Sequence, residues 1–182
     1  DYFMAVDRIA QRLRRATAAL DAAGIPYAVA GGNAVAVWVS TRDPGATRTT
    51  KDVDLLVNRA DIDVVARAFS GLGFRREDVR SLTLFVDPEE PNRKTGVHMI
   101  WAGAKVHPSY LAPSPTLQER VRATSDAFWV VTLPALVRMK LTAFRLKDQV
   151  HILDLLGVGL IDAAVRQSLS SDLLKRLAEV EA

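Results

Sequence analysis

Apolar residues recur along this chain with two periods, and the change from one to the other divides it near Thr132. From Phe3 to Ala23, Val6, Ile9, Leu13, Ala16 and Leu20 fall three and four apart, which predicts an amphipathic helix. Gly24 stops it and Pro26 follows, as after a helix C-cap. Tyr27 to Ala30 reads as a short buried strand, Gly31-Gly32 as a turn, and Asn33 to Val39 as a second helix. A polar loop with Pro44 and Gly45 runs from Ser40 to Lys51. Val53 to Val57 is aliphatic and β-branched, hence a strand. Asp61 to Leu72 carries Ile62, Val65, Phe69 and Leu72 on one helix face and closes at Gly73. Leu82 to Val86, Val97 to Trp101 and Phe128 to Leu133 predict further strands. The turn-rich segment Asp87 to Gly96 separates the first two, and a loop with Pro108, Pro113 and Pro115 precedes the last. Beyond Thr132 the period is helical: Pro134 to about Leu146, Asp148 to Leu156 ending at Gly157, and two helices after Asp162 and Ser171. A mixed α/β half is followed by an α-helical half.

Composition narrows the class only a little. The 182 residues suffice for one domain with a real core and a helical appendage. With no cysteine, a disulfide framework and a thiolate metal site are both excluded, which fits a cytoplasmic protein. No apolar run is long enough to span a bilayer, so no membrane partner is expected. The chain opens on Asp1 rather than Met, which leaves any leader unread. A formal charge of +3 speaks weakly for polyanion affinity and as readily for a solvated basic surface.

The candidate chemistry lies in two stretches, Val29-Ala-Gly-Gly-Asn-Ala and Arg48-Thr-Thr-Lys-Asp-Val-Asp. Side chains alternate along a strand, so Asp52 and Asp54 share a face. Two carboxylates that close repel unless a cation lies between them. Mg²⁺ is suited to such a pair, taking one or two carboxylates plus substrate phosphates. Gly31 and Gly32, between strand and helix, allow backbone N–H groups to approach a phosphate. An isolated Asp-x-Asp or Gly-Gly is commonly just a turn; their combination in one strand–helix–loop–strand unit is more specific.

That combination resembles the nucleotidyltransferase superfamily of the DNA polymerase β type. Within it the chain is similar to the minimal and AbiEii-like bacterial proteins, some of which are toxins of toxin–antitoxin pairs. The resemblance covers Ile25 to Leu156. It implies an α+β fold, a mixed sheet flanked by helices and followed by a C-terminal helical subdomain, divided here as 1–133 and 134–182. The stretch Leu136 to Asp148 resembles the family's helix that carries a phosphate-binding lysine, which would be Lys140. On its own, Lys140 also reads as a lysine snorkelling from a helix edge. Asp148, His151 and Asp154 recur at spacings of three, near an approximate match to the toxins' Arg-Asp-x-x-Asp-Leu. An exposed polar helix face is the alternative.

The departure from the family is at the third carboxylate. His98, in Thr95-Gly-Val-His98-Met-Ile-Trp101, stands where an Asp or Glu is expected. It lines the site as a proton acceptor or metal ligand, or it is a hydrogen-bonded core histidine. Asp87, Glu89 and Glu90 precede it in a turn of unknown register. Trp38 and Trp101 read as core.

The resemblance implies a metal-dependent nucleotidyltransferase that moves a nucleoside monophosphate from an NTP to an acceptor: tRNA or other RNA, a protein or a small molecule. Mg²⁺ or Mn²⁺ on Asp52 and Asp54 would be the cofactor, with His98 the third candidate catalytic residue. Gly31, Gly32, Asn33, Arg48, Thr50, Lys51, Lys140, Asp148 and Asp154 are the candidates for nucleotide contact. A cognate antitoxin or another protein is a possible partner by the same resemblance. The alternatives are a catalytically weakened nucleotide-binding protein of the same fold and an antibiotic-modifying nucleotidyltransferase.

Overall fold

A computed structural model describes residues 2–123 and 127–182, with side chains from residue 4 onward. The order of elements is α1 (Tyr2–Ala22), β1 (Tyr27–Ala30), α2 (Gly31–Ser40), β2 (Val53–Val57), α3 (Ile62–Ser70), β3 (Arg75–Val79), β4 (Leu82–Val86), β5 (Val97–Trp101), β6 (Arg120–Arg122), β7 (Trp129–Val131), α4 (Leu133–Ala143), α5 (Leu146–Gly157), α6 (Ala163–Gln167) and α7 (Ser171–Glu181). The seven strands form one mixed sheet in the order β3-β4-β5-β2-β1-β7-β6. β2 is antiparallel to β1 and parallel to β5, and β1 is parallel to β7. This is the expected α+β class, a mixed sheet flanked by helices with a helical C-terminal part.

Apolar residues of the central strands β1 and β2 are buried on both faces, as a strand covered by helices on either side requires. The same core cluster takes in Ala34 and Val35 of α2, Leu136 and Leu141 of α4, and Ile152 and Leu155 of α5. The helical half therefore packs through α4 and α5 onto α2, which leads away from β1. Thr132 joins the halves and caps α4, its hydroxyl accepting from the Ala135 N–H. No helix among the described residues is long and apolar enough to cross a membrane.

Four elements differ from the sequence expectation. β6 (Arg120–Arg122) falls in a segment read as loop; only three residues long, it is held by antiparallel pairing to β7 at one edge of the sheet. α2 begins at Gly31 itself, so Gly31-Gly32 is the first helical turn rather than a turn before it. Arg75–Val79 is a strand although it is almost wholly polar; it pairs with β4 at the edge of the sheet, where both faces need not be apolar. The break between α4 and α5 falls at Phe144 and Arg145, because Phe144 takes a left-handed φ of 52° and caps α4 through its N–H to Lys140 O.

Candidate functional site

The site is built on β2 and β5. Asp54 and His98 are register partners across this parallel pair, so both side chains leave the same face of the sheet. Asp52, two residues before Asp54, joins them. His98 Nδ1 lies 3.6 Å from Asp52 Oδ2 and 3.7 Å from Asp54 Oδ1. One ligand atom from each of the three lies within 4.8 Å of the others.

Each of the three groups is held from behind. His98 Nε2 is 2.8 Å from the carbonyl oxygen of Arg93. A carbonyl only accepts, so Nε2 carries the hydrogen, and in the neutral ring Nδ1 turns its lone pair toward the two carboxylates. Asp52 Oδ1 accepts from Thr50 Oγ1 at 2.9 Å, and the Asp52 main-chain oxygen accepts from Asn33 Nδ2 at 3.0 Å. Gly31 has a φ of +63°, and a Cβ there would fall 2.0 Å from Asp54 Oδ2. Only glycine lets the start of α2 lie so close to that carboxylate. A Cβ on Gly32 would likewise meet Thr50 at 2.9 Å.

Burial, and then the neighbouring Asp52 charge, push the Asp54 carboxyl up to about 6; His98 and Lys140 act in the opposite direction. A divalent cation among these groups would relieve both causes. Two carboxylates and an imidazole nitrogen supply oxygen and nitrogen donors that such an ion accepts, so the residues present fit the divalent metal that the resemblance implies.

The facing wall comes from α4 and α5. Lys140 is a buried residue whose Nζ lies 3.0 Å from Asp148 Oδ1. It therefore does not snorkel to solvent: β7 and Thr132 start α4 at a register that turns Lys140 inward. Asp148 is almost fully buried and also accepts from Arg145, through the backbone N–H at 3.0 Å and Nε at 2.7 Å. Burial raises its carboxyl, yet the Arg145 and Lys140 bonds hold it below the ordinary value. Burial lowers the Lys140 ammonium despite Asp148.

Between the walls lies a cleft of about 520 Å³, within the range of small-molecule and cofactor sites. Gly31, Asp52, Asp54, His98, Lys140 and Asp148 all line it. So do residues the sequence reading did not select: Arg59, Lys105, Tyr110, Arg145 and Lys147. Trp101, expected in the core, packs against the core cluster and also lines the cleft, with the Arg59 guanidinium 5.4 Å above its ring. Arg145 and Lys147 lie within the stretch Leu136 to Asp148 that resembles the family's phosphate-binding helix, and their charge was the one signal available. Nothing local marks Arg59 or Lys105.

Other candidates lie elsewhere. Arg48 pairs with Asp154 at 2.7 Å, joining the loop before β2 to α5. With Asn33 and Thr50, Arg48 lines a second groove of about 290 Å³ beside α1. Lys51 is exposed. Asp87, Glu89 and Glu90 do not supply a third carboxylate. Asp87 and Glu90 hold Arg12 of α1 at 3.0 and 2.9 Å, and Glu89 meets Arg15 at 3.5 Å. Trp38 donates from its indole nitrogen to Val131 O at 3.0 Å.

No known family model matches the chain, and no curated protein matches it. Solved structures do. The chain is similar to an antigenic nucleotidyltransferase-like protein from Paracoccidioides brasiliensis, with 17% identity, a TM-score of 0.64, and coverage of 97% of this chain and 88% of that one. It is also similar to the antibiotic-resistance factor ANT(2'')-Ia. The solution structure of that factor gives 12% identity and a TM-score of 0.53 over 96% of this chain and 83% of that one. Its crystal structure in complex with adenylyl-2''-tobramycin gives 14% identity and the same TM-score of 0.53 over 94% and 96%. The architecture is thus the nucleotidyltransferase fold.

Proposed function

We propose that this chain is a metal-dependent nucleotidyltransferase. The observation that carries the reading is one cleft with Asp52, Asp54 and His98 on one wall and Lys140, Arg145 and Lys147 on the other. A metal–NTP complex has the charge distribution for that arrangement. Asp52, Asp54 and His98 Nδ1 would hold a divalent ion, which polarises the phosphates and neutralises charge on them. Ala30 gives α2 no side-chain cap, so backbone N–H groups of its first turn, at Gly31 and Gly32, are available to phosphate oxygens. Lys140 and Arg145 stabilise the triphosphate from the opposite side. An acceptor hydroxyl oxygen bonds to the α-phosphorus and gives up its proton to water, the bond to the bridging oxygen breaks, and pyrophosphate leaves with the electron pair. Positioning and charge stabilisation supply most of the acceleration in such a transfer. His98 in this scheme is a ligand, which answers the missing third carboxylate and weighs against a weakened binding protein.

The lining also bears on the acceptor. Each carboxylate in it has an assignment: Asp52 and Asp54 to the ion, Asp148 to Lys140 and Arg145. Arg59 and Lys105 add cations without a carboxylate partner among the described residues. An aminoglycoside, which carries several ammonium groups, would find no free carboxylate there. This favours an RNA, such as tRNA, or another anionic or neutral acceptor over an antibiotic. Incubation with each NTP labelled at the α-phosphorus, with Mg²⁺ or Mn²⁺ and total cell extract, tests the reading. Label in RNA, protein or a small molecule is the expected class of result. Label in none of them, with every NTP and both ions, contradicts transferase activity.

A further inference from the structure

We infer that the cluster of Asp52, Asp54 and His98 selects a first-row transition divalent cation over Mg²⁺, with Mn²⁺ the paramagnetic probe and the most demanding case, and binds it before nucleotide arrives. The inference rests on reading this cleft as a metal site but not on the transfer reaction.

Mg²⁺ demands oxygen ligands in near-ideal octahedral geometry, sheds water reluctantly, and in nucleotide sites uses one or two carboxylates plus the phosphates. Asp52 and Asp54 alone would satisfy that pattern. The third donor is an imidazole nitrogen, which suits first-row transition ions, Mn²⁺ the weakest binder among them, and offers Mg²⁺ little.

The imidazole is fixed in the form a ligand needs. Its Nε2–H is tied to the Arg93 carbonyl at 2.8 Å, the kind of outer contact that orients metal-binding histidines. That carbonyl is itself held. Arg93 starts a single turn, Arg93–Thr95, capped by the Asn92 side chain accepting from Lys94 N–H at 2.9 Å. The turn ends at Gly96, where a Cβ would come within 2.8 Å of Phe85 O, so β4 and the turn are in tight contact. Nδ1 then faces both carboxylates at 3.6 and 3.7 Å. These separations exceed an N–H···O bond, so the ring does not serve the carboxylates as a hydrogen-bond donor. They are within reach of a shared ion.

The oxygen donors are equally prearranged, Asp52 by Thr50 Oγ1 and Asp54 by its register in β2 against Gly31. Three protein donors, from β5, β2 and the residue just before β2, do not need phosphate to complete a minimal site, hence binding ahead of nucleotide.

The test uses the metal-free full chain without nucleotide. Loss of the free Mn²⁺ signal in electron paramagnetic resonance measures binding, and Mg²⁺ is then added as competitor. Wild type should bind Mn²⁺ and resist displacement by about a hundredfold excess of Mg²⁺, whereas His98→Asp, with a third oxygen donor, should lower the Mn²⁺ preference about tenfold or more. Pulsed measurements on wild type should show nitrogen coupling from a directly bound imidazole, a readout that stands even if His98→Asp does not fold. Absence of Mn²⁺ uptake without nucleotide, absence of nitrogen coupling, or equal Mg²⁺ competition in wild type and folded His98→Asp overturns the inference. Metal selection as described in a chain that transfers no nucleotide would support this inference and refute the transferase.

Discussion

A Cβ added to Gly31 would lie 2.0 Å from the Asp54 carboxylate oxygen, so the first residue of α2 and the central acid of β2 occupy their places only together. Gly31→Ala should abolish divalent-metal binding. The left-handed backbone alone would add ~1–2 kcal/mol of strain, and Asp54 must also move. Circular dichroism and metal titration check this. A folded Gly31→Ala protein with wild-type metal affinity would contradict the proposed geometry.

Thr50 supports the site through its hydroxyl, which donates to Asp52 Oδ1 at 2.9 Å. Thr50→Val keeps the shape and removes the hydroxyl that orients the carboxylate. Metal affinity should fall about 10-fold or more, as for other groups that orient ligands, with little change in melting temperature. Calorimetric metal titration beside a thermal melt separates the two effects.

Lys140 and Asp148 form a buried pair with unequal dependence. Asp148 has Arg145 as a second cation and a backbone N–H besides, whereas Asp148 is the carboxylate bonded to Lys140. Lys140→Met should therefore cost only about 1.5–3 kcal/mol of stability, the loss of one hydrogen bond to a charged group. Asp148→Asn, which strands a buried ammonium, should cost about 3–5 kcal/mol. Denaturant unfolding of both variants measures the difference. The reverse order would show that Lys140 does not depend on Asp148. In addition, Lys140→Met should weaken NTP binding more than nucleoside binding.

Two groups make stability depend on pH in opposite directions. The Asp54 carboxyl sits at about 6, above its ordinary value of 3.8, so in that interval the folded chain binds the extra proton and stability falls as pH rises. His151 is pushed down to about 4 from 6.5, by burial first and then by Lys140, and its Nδ1 has no hydrogen-bond partner among the described residues. There the unfolded chain binds the proton, and stability rises with pH. The two contributions oppose each other in the metal-free wild type between pH 5 and 6.5. Substitution should unmask them. Metal-free Asp54→Asn should gain stability from pH 5 to 6.5, and His151→Gln should lose it. Unfolding curves at several pH values decide this, and slopes of the same sign in both variants would contradict it.

The placement of Asp52, Asp54 and His98 on the sheet was legible because it depends on local periods. Strand alternation put Asp52 and Asp54 on one face, and the apolar run around His98 marked a strand on which it stands beside Asp54. Long-range pairing was not legible. Arg48 and Asp154 are 106 positions apart, and nothing near either signals the partner. Burial of Lys140 depends on the α4 register and on Asp148, which follows the break at Phe144. That break was misplaced by two to three residues because a phenylalanine, not a glycine, takes the left-handed position. β3 escaped notice because an edge strand with a polar sequence, Arg75-Arg-Glu-Asp-Val79, shows no alternation. Arg59, Lys105 and Tyr110 reach the cleft from loops and turns, where sequence carries no period at all.

The central claim is that Asp52 and Asp54 hold a metal–nucleotide complex. Calorimetric titration of wild type, Asp52→Asn and Asp54→Asn with NTP, in Mg²⁺ and again in Mn²⁺, tests it most directly. The account predicts metal-dependent binding by wild type and at least about a 10-fold loss of affinity in each variant, as removal of a ligand and a charge requires, with the fold retained by circular dichroism. Unchanged affinity in both folded variants would contradict it.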